Sequence, residues 1–378
     1  MYHQDQARPA PLPAEAYFSD EFFELERRTV FARHWHCLGP VGELARVGGY
    51  LAREVMGIPI VVRNEDGRLC AFRNVCPHRQ SVLVRDGSGH ADKLRCQYHG
   101  WEFDGEGQLS HLPEGSSFRG FKARTACLDR LKVDTLFGLV FVNFDLDATS
   151  LPDGLGQLAV DLVPKLDRYS YHWMNSTEHD CNWKVPVENS IEGYHSAAVH
   201  AKTFGPLVDE KLIHHELGPR HAYYRSEGRY QVSPRSQVHD ALVRTFLSAG
   251  ATPEPQHIQA GIFPNYMIDF SYFTFLFTVI EPIAPRRTRF TWYGFLPGPT
   301  PTTRLGRLAR DVYSRRFFGG GLKILAEDIA VWPYIQRGLE ASQRRSVLGR
   351  SEERVYHFQK FIADQTAVDL DRKSGNQP

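Results

Sequence analysis

Two short segments of the sequence, CPH and CQYH, each place one cysteine close to one histidine. The first pair is Cys76 and His78, and the second pair is Cys96 and His99. Thiolate and imidazole are ligands for zinc and iron, and such short spacing lets one tight turn supply each pair. The sequence therefore predicts a metal centre built from two turns, and the fold must bring these turns together.

Two kinds of metal centre fit these residue types. One is a structural zinc ion with tetrahedral, closed coordination. The other is a [2Fe–2S] cluster of Rieske type, with two cysteines on one iron and two histidines on the other. Because each pair has one residue of each kind, the turns can sort thiolates onto one iron and imidazoles onto the other. Pro77, Gly100 and Trp101 would stiffen the turns and cover the centre, which favours the cluster.

The organisation of the chain indicates about two domains, since 378 residues exceed one small core. Residues 37–148 alternate short apolar runs with glycine-containing turns, including the hairpin signal NEDG. The later part mixes long strands with helices. We expect an α+β fold with four parts: a flexible tail at 1–16, an N-terminal helix and all-β domain with the cysteine–histidine turns at 17–150, an antiparallel sheet with helices (a helix-grip-like domain) at 151–370, and a disordered tail at 371–378.

Composition argues against several other classes of protein. The formal net charge is +1 and no basic run occurs, so binding to nucleic acid or to an anionic membrane is not expected. The apolar stretches are too short for membrane helices, and the N-terminus lacks the apolar segment of a signal peptide. The six cysteines do not cluster as a secreted disulfide framework would. We therefore expect a cytoplasmic protein.

A second set of candidate ligands lies in the segment NWKVPVENSIEGYHSAAVH, which ends at His200. A regular helix would put Glu188, Glu192 and His195 on one face. His200 follows His195 by five residues, a spacing that a regular helix does not place on one face. The helix must therefore bend or unwind if both rings are to reach one metal.

Two histidines need a carboxylate to complete a mononuclear iron site. The site of two histidines and one carboxylate leaves positions open on Fe(II) for O₂ and substrate. Glu327 and Asp328 offer carboxylates in LAEDIAVW, on a predicted C-terminal helix. Their chemistry does not choose between them.

Both sets of residues resemble one family, the Rieske non-haem iron oxygenases, and specifically their large (α) subunit. The resemblance is carried by Cys76-Pro77-His78-Arg79, Cys96-Gln97-Tyr98-His99-Gly100-Trp101, Asn182-Trp183-Lys184, Glu188-Asn189, Glu192-x-Tyr194-His195-x4-His200, and Glu327-Asp328 followed by Gln336-Arg337-Gly338-Leu339. Neither cluster segment has the additional cysteine that respiratory Rieske proteins usually carry. Gln80 stands where the family commonly has glycine.

The resemblance implies the roles of the site residues. Cys76, His78, Cys96 and His99 would bind the [2Fe–2S] cluster. His195, His200 and Asp328 would bind mononuclear iron. Glu192 would bridge the two centres by accepting hydrogen bonds from a cluster histidine of one subunit and an iron-binding histidine of the next. Such a bridge requires a ring of subunits, commonly a homotrimer, sometimes with an additional β subunit.

The resemblance also implies partners and a reaction. A separate flavin and iron–sulfur reductase or a ferredoxin would deliver electrons from NAD(P)H, since this chain has no glycine-rich nucleotide-binding motif. The enzyme would activate O₂ and hydroxylate a small organic substrate, or oxidatively demethylate or cleave it. Most family members have aspartate at the bridge position, and glutamate is found in a branch resembling carnitine and glycine-betaine monooxygenases.

A quaternary ammonium substrate would need an aromatic cage. The sequence offers candidate aromatic residues at Phe204, Tyr223, Tyr224, Phe263, Tyr266, Phe270, Tyr272, Trp292 and Tyr293. Most of these are expected in the sheet core, where they would equally suit a hydrophobic ligand. Three alternatives remain at this point: an aromatic-ring dihydroxylating dioxygenase, a Rieske electron-transfer protein without oxygenase activity, and a zinc-stabilised binding module.

Overall fold

The computed structural model describes residues 7–122, 125–203, 213–226, 254–272 and 274–374. The chain divides into two compact units. The β unit is Phe31–Gly156, and the mixed unit combines the segment that ends at Val30 with the segment that begins at Gln157. Within the described ranges, no helix has both the length and the apolar character that a membrane span requires.

The N-terminal segment of the mixed unit is ordered from Arg8. Strand β1 (Arg8–Pro9) pairs antiparallel with residues 347–348, and Ala10 and Leu12 are buried. Helix α1 (Asp20–Glu26) begins after the N-cap residue Ser19, whose hydroxyl accepts a hydrogen bond from the Phe22 backbone N–H. The flexible tail expected at 1–16 does not describe residues 8–16, because strand pairing and buried apolar side chains hold them.

The β unit is built from antiparallel strands. They are β2 (His36–Pro40), β3 (Gly49–Val55), β4 (Ile58–Glu65), β5 (Arg68–Arg73), β6 (Gly87–His90), β7 (Leu94–Arg95), β8 (Glu102–Phe103), β9 (Leu109–His111), β10 (Arg130–Leu136) and β11 (Leu139–Asn143). Seven form a sheet of order β2-β11-β10-β5-β4-β3-β6, and β7-β8-β9 form a smaller one. The short helix α2 (Leu151–Leu155) ends the unit.

The turns and the core of the β unit follow from its sequence. NEDG forms the predicted hairpin between β4 and β5, where Asp66 and Gly67 have φ of +50° and +86°. Cys76, Cys96 and Trp101 belong to the same buried cluster as the apolar residues of the strands. The two cysteine–histidine turns therefore rest on a rigid core.

The mixed unit contains one large antiparallel sheet with helices. Its elements are α3 (Gln157–Leu166), β12 (Tyr169–His179), α4 (Lys184–Ile191), α5 (Ser196–Val199), β13 (Ile213–Gly218), β14 (His221–Ser226), β15 (Glu254–Ile262), β16 (Tyr266–Tyr272), β17 (Thr274–Ala284), β18 (Arg287–Pro297), α6 (Arg304–Ala341), β19 (Val347–Leu348) and α7 (Glu353–Ser374). The sheet order is β12-β18-β17-β16-β15-β14-β13. The expected α+β fold is confirmed. Helix α7 runs into the tail expected at 371–378, because DLDRKS contains neither glycine nor proline.

One side of this sheet, here called the helix-facing side, packs against α4 and α6. A Cβ added to Gly261 of β15 would lie 2.8 Å from Ile191 of α4, and one added to Gly294 of β18 would lie 2.5 Å from Phe318 of α6. Trp173 of β12 also stacks on Phe318, with ring centroids 4.8 Å apart. Glycine is needed at these strand positions because the helices approach the backbone closely.

The helix expected in the segment NWKVPVENSIEGYHSAAVH is broken in the middle. Helix α4 ends at Ile191, and Glu192 has extended backbone angles, φ −122° and ψ 163°. Helix α5 begins after His195 and ends before His200. Glu188, Glu192 and His195 therefore do not share one helical face, which corrects that expectation. The break spans residues 192–195 and so comes before the first histidine. The bend expected from the spacing of the two histidines would fall between His195 and His200, where the structure instead has the intact turn of α5, so this expectation is corrected as well.

Candidate functional site

The two cysteine–histidine turns have the same backbone hydrogen bonding. The N–H of Gln80 donates to the carbonyl of Cys76, and that of Gly100 donates to the carbonyl of Cys96, both at 3.0 Å. Gln80 and Gly100 both have positive φ, +59° and +73°. The two turns are thus close structural counterparts, and Gln80 occupies a left-handed conformation that glycine adopts at less cost.

The four predicted cluster ligands lie close together. The His78 and His99 rings have centroids 4.6 Å apart, and Trp101 stacks on His78 at 4.7 Å with an interplanar angle of 4°. Burial, with a smaller contribution from the Cys96 thiol beside it, raises the pKa of the Cys76 thiol to about 11. Within the described residues, Nδ1 of His78 is buried without a hydrogen-bond partner.

Two neighbouring thiols and two neighbouring imidazoles, one with an unpaired nitrogen, are the donor set that a Rieske cluster requires. These residues therefore fit a [2Fe–2S] cluster of this type.

In the mixed unit, His195, His200 and Asp328 converge. One candidate ligand atom from each residue lies within 4.8 Å of the others. Asp328 Oδ1 is 3.4 Å from His195 Nε2 and 3.1 Å from His200 Nε2. Helix α5 separates the two histidines and α6 carries the aspartate. This donor set fits a mononuclear iron site with two imidazoles and one carboxylate.

The outer nitrogen of each histidine has its own carboxylate partner. Glu192 Oε1 contacts His195 Nδ1, and Glu327 Oε2 lies 2.8 Å from His200 Nδ1. The hydroxyl of Thr203 donates to the same Glu327 oxygen at 2.6 Å. Carboxylates at the outer nitrogen fix the tautomer and the orientation of a metal-binding imidazole. Such partners leave Nε2 of both rings directed at Asp328.

The charge of His195 reflects its two carboxylate neighbours. Burial alone would lower the pKa of His195, but hydrogen bonds to Asp328 and Glu192 outweigh burial and raise the pKa to about 9. Glu327 shows the opposite effect, since hydrogen bonds from Thr203 and His200 lower the pKa of its carboxyl. The site thus concentrates negative charge around the two imidazoles, as a divalent cation requires.

Asn189 links the two sides of the site. Its amide nitrogen lies 3.2 Å from Asp328 Oδ1 and 3.1 Å from His195 Nε2. Its amide oxygen accepts a hydrogen bond from the indole of Trp332, one helical turn beyond Asp328 on α6. The sequence predicted no individual role for Asn189, Thr203 or Trp332, and it offered Glu327 only as an alternative iron ligand to Asp328. The sequence signals were that Asn189 belongs to a segment that resembles the family and that Glu327 adjoins Asp328.

A buried polar network lies beneath α4. Tyr17 donates its hydroxyl hydrogen to Glu188 Oε1, to which Gln359 also donates at 3.0 Å. Burial raises the pKa of Glu188 to about 7. Nearby, the fully buried Lys184 donates to the fully buried Glu26 at 2.6 Å. This network joins the N-terminal segment, α4 and α7, so it holds the helix that precedes the candidate iron ligands.

The candidate cage residues separate into groups. Tyr224 pairs with Gln259, which is two residues from Gly261, and Trp292, which pairs with Thr278, is two residues from Gly294. Both aromatic residues therefore lie on the helix-facing side of the sheet. Others belong to the core and are almost fully buried, namely Phe263, Tyr266, Phe270 and Tyr293. Tyr223 lies on the opposite side from Tyr224 because neighbouring strand residues alternate. Phe204 and the side chain of Tyr272 lie outside the described residues.

Comparisons with known families agree with this geometry. Residues 34–125 match the Rieske [2Fe–2S] domain, and residues 166–367 match the ring hydroxylating alpha subunit (catalytic domain). The carnitine monooxygenase oxygenase subunit of Acinetobacter pittii is 36% identical over 370 residues, which cover 93% of each chain. The subunit of the same name from Escherichia coli K12 is also 36% identical, over 194 residues, so the chain matches about half (52%) of that relative's length.

Solved structures show the same fold. The quaternary ammonium Rieske monooxygenase CntA, in complex with an inhibitor, is 25% identical and superposes with a TM-score of 0.76 over 94% of this chain and 95% of that one. Naphthalene 1,2-dioxygenase from Rhodococcus sp., bound to indole, is 19% identical, with a TM-score of 0.75 over 95% of this chain and 94% of that one.

The fold and the two donor sets define a two-centre iron protein with a Rieske domain and a mononuclear iron domain. The chain belongs to the ring-hydroxylating oxygenase α-subunit family, the Rieske non-haem iron oxygenases. The predicted family is confirmed, and with it the two iron cofactors that the family uses.

Proposed function

We propose that the chain is the terminal oxygenase component of a Rieske-type monooxygenase. The observation that supports this proposal most directly is the convergence of His195, His200 and Asp328. The same chain also has two cysteine–histidine turns with equivalent backbone hydrogen bonds. An electron-transfer protein would need only the turns. A zinc-stabilised module would need neither the second site nor the separation of thiols and imidazoles into neighbouring pairs.

The proposed ligands are Cys76, His78, Cys96 and His99 for the [2Fe–2S] cluster and His195, His200 and Asp328 for mononuclear iron. When bound, these centres supply one-electron transfer and O₂ activation. The protein positions them: Trp101 covers the His78 ring, Glu327 orients His200 through Nδ1, and Asn189 donates to the Asp328 carboxylate.

Glu192 is proposed to link the centres of neighbouring subunits. Its Oε1 contacts Nδ1 of His195, and its Oε2 accepts a hydrogen bond from the backbone N–H of His195 at 3.2 Å. This arrangement holds the carboxylate against the outer nitrogen of a candidate iron ligand, where a hydrogen bond to a cluster histidine of a second subunit would complete the bridge. The proposal therefore requires a ring of identical subunits, and we propose a homotrimer.

The proposed reaction inserts one oxygen atom of O₂ into a C–H bond and releases the other as water, consuming two electrons and two protons. The electrons come from NAD(P)H through a separate reductase or ferredoxin. Hydroxylation at a carbon bonded to nitrogen gives an unstable product, so the net result would be demethylation or C–N cleavage. We propose a cytoplasmic location, supported by six cysteines of which none forms a disulfide.

We propose a quaternary ammonium compound as the substrate class. The relative matched over almost the whole chain is a carnitine monooxygenase subunit, and a similar structure is a quaternary ammonium monooxygenase. Aromatic-ring dioxygenation is the alternative, since the naphthalene 1,2-dioxygenase large component of Pseudomonas putida is 29% identical over 336 residues. Glu192, rather than aspartate, and the higher identity of the carnitine enzymes favour the monooxygenase.

The test is to purify the protein, measure iron and acid-labile sulfide, and follow oxygen uptake with a surrogate reductase and a panel of quaternary ammonium and aromatic compounds. We expect three iron atoms and two sulfides per chain and product masses that reflect insertion of one oxygen atom. Zinc in place of iron, or oxygen consumption by aromatic compounds alone with both atoms retained, would contradict the proposal.

A further inference from the structure

The indole of Trp332 on α6 is held in place by the sheet. Trp332 is 1% exposed. The centroid of its ring lies 5.1 Å from that of His179 on β12 and 5.5 Å from that of Phe290 on β18. These two strands are neighbours in the sheet, and the hydroxyl of Thr177 lies 2.8 Å from Nε2 of His179. Packing against two paired strands therefore fixes the direction in which the indole N–H points.

The indole N–H determines which way the side-chain amide of Asn189 faces. An indole nitrogen can only donate a hydrogen bond, so the group that it contacts must be an acceptor. That group is the amide oxygen of Asn189 on α4. The amide nitrogen lies at the other end of the same planar group, and it therefore faces the candidate iron ligands.

The amide nitrogen of Asn189 donates its hydrogen bond to Asp328. It lies 3.2 Å from Oδ1 of Asp328, the oxygen that also approaches Nε2 of both candidate histidine ligands. Its distances to Nε2 and Nδ1 of His195 are nearly equal, 3.1 and 3.4 Å. An atom so placed lies over the face of the imidazole ring, whereas a hydrogen bond to one ring nitrogen would require it in the ring plane. The lone pair of His195 Nε2 therefore stays available to a metal ion.

The opposite orientation of the Asn189 amide would remove the hydrogen bond that Asp328 receives. The amide oxygen would then face Oδ1 of Asp328, and two acceptor oxygens without a hydrogen between them repel each other. The two orientations of an amide have nearly the same shape, so packing around Asn189 distinguishes them poorly. A fixed donor on the oxygen side, which Trp332 provides, distinguishes them directly.

We infer that Trp332 is a positioning residue for the mononuclear iron site. Its indole N–H sets the orientation of the Asn189 amide, and Asn189 in turn holds the Asp328 carboxylate between His195 and His200. The inference rests on the proposed function, in which these three residues bind iron. It adds a residue on α6 that acts on the ligand set through a side chain of α4.

The experiment measures the Fe(II) dissociation constant of the mononuclear site in the wild type, Trp332→Phe, Asn189→Leu and the double variant. Each full-length protein keeps its cluster, is stripped of mononuclear iron, and is titrated with Fe(II) against a chelator in the absence of oxygen. Phenylalanine keeps an aromatic ring beside His179 and Phe290 but has no N–H. Trp332→Phe should weaken Fe(II) binding about tenfold when residue 189 is asparagine. It should weaken binding less than about twofold when residue 189 is leucine, because no amide is left to orient.

The second readout is the electron paramagnetic resonance spectrum of the nitric oxide complex of the mononuclear iron, recorded with the cluster oxidised. Trp332→Phe should alter this spectrum, whereas Asn189→Leu and the double variant should share one spectrum. The matched control is Trp173→Phe, which removes an indole that also packs on α6, against Phe318. This control should leave both readouts as they are in the wild type.

Equal weakening by Trp332→Phe in both backgrounds would show that the indole acts through packing alone, and it would overturn the inference. So would a folded Trp332→Phe protein that binds Fe(II) as tightly as the wild type or more tightly. Trp332→Leu, which also lacks the N–H, replaces the phenylalanine variant if that variant does not fold. A wild type that binds no Fe(II) beyond its cluster contradicts the proposed function and the inference together, whereas Fe(II) binding that is independent of Trp332 contradicts only the inference.

Discussion

Glu327 and Asp328 are adjacent in sequence, yet they contact opposite nitrogens of the His200 ring. Glu327 Oε2 lies 2.8 Å from Nδ1, and Asp328 Oδ1 lies 3.1 Å from Nε2. Asp328 also approaches His195 at 3.4 Å. The geometry thus distinguishes two carboxylates that are chemically equivalent in the sequence, and it gives them separable roles.

Replacing Asp328 should abolish turnover, because the carboxylate that lies between the two histidine rings is lost. We expect Asp328→Ala to lose mononuclear iron and keep the absorbance of the cluster. Glu327→Gln should retain activity with about 10- to 100-fold weaker iron affinity, the usual effect of removing a partner of a metal-binding histidine. Iron analysis after dialysis against a graded chelator measures both. Equal iron loss in the two variants would contradict the separate roles of Asp328 as a ligand and Glu327 as the partner of His200.

Glu192→Ala should leave both iron centres occupied but slow electron transfer between them. The carboxylate contacts His195 at its outer ring nitrogen and its backbone N–H, not at the Nε2 that faces Asp328. Its removal therefore spares the ligand set. The measurement is a single-turnover experiment with pre-reduced protein and substrate. Glu192→Asp, the residue common in the family, is the matched control and should retain most of the rate. An unchanged rate in Glu192→Ala would exclude the bridge.

Lys184→Met should lower the free energy of unfolding by about 3–5 kcal/mol, since it leaves the Glu26 carboxylate buried without its cation. Burial raises the pKa of Glu26 and lowers that of Lys184, so each depends on the other for its charge. Urea unfolding followed by fluorescence measures the change. Lys360→Met, which breaks an exposed pair, should change the free energy of unfolding far less, because solvent screens exposed pairs. Comparable losses in both variants would be inconsistent with this account.

Glu188 should make the protein less stable as pH rises from about 4.5 to about 7. Burial raises the pKa of Glu188 from its usual 4.5 to about 7, so the folded state holds the proton more tightly than the unfolded chain. The stability that the Glu188 proton provides is fully present below pH 4.5 and is lost as the pH rises through 7. The free energy of unfolding falls by up to about 3 kcal/mol over this range. Glu188→Gln removes this loss while preserving the shape of the side chain.

The comparison requires unfolding curves of wild type and Glu188→Gln at pH 5 and pH 7.5. The variant should gain stability relative to the wild type at the higher pH, because only the wild type must bury a charged carboxylate there. A stability difference that stays constant between the two pH values would show that Glu188 does not titrate in this range.

The two cysteine–histidine turns could be predicted because the spacing within each pair is local. Cys76 and His78 are two residues apart, and no distant contact is needed to bring them together. The interruption before His195 could not be predicted, since the spacing from His195 to His200 carries no information about the residues before His195. The extended conformation of Glu192 accompanies contacts of its carboxylate with His195, which the local pattern does not reveal.

Other features depend on contacts between distant parts of the chain. Asn189 meets Trp332 across 143 residues, and Lys184 meets Glu26 across 158. From the local sequence, a charged side chain such as that of Lys184 is expected on an exposed face, whereas the fold buries Lys184 completely. The N-terminal tail was misjudged for a similar reason, since its partner strand begins at Val347.

Helix α6 has a consequence for how this chain can vary. It spans 38 residues and carries Phe318 against the sheet, Asp328 at the candidate iron site and Trp332 against Asn189. Each residue of an α-helix advances by about 100° around the axis. An insertion or deletion of a single codon between Phe318 and Trp332 would swing one contact away from its partner. Descendants of this gene should therefore tolerate substitutions along α6 far more readily than changes in its length.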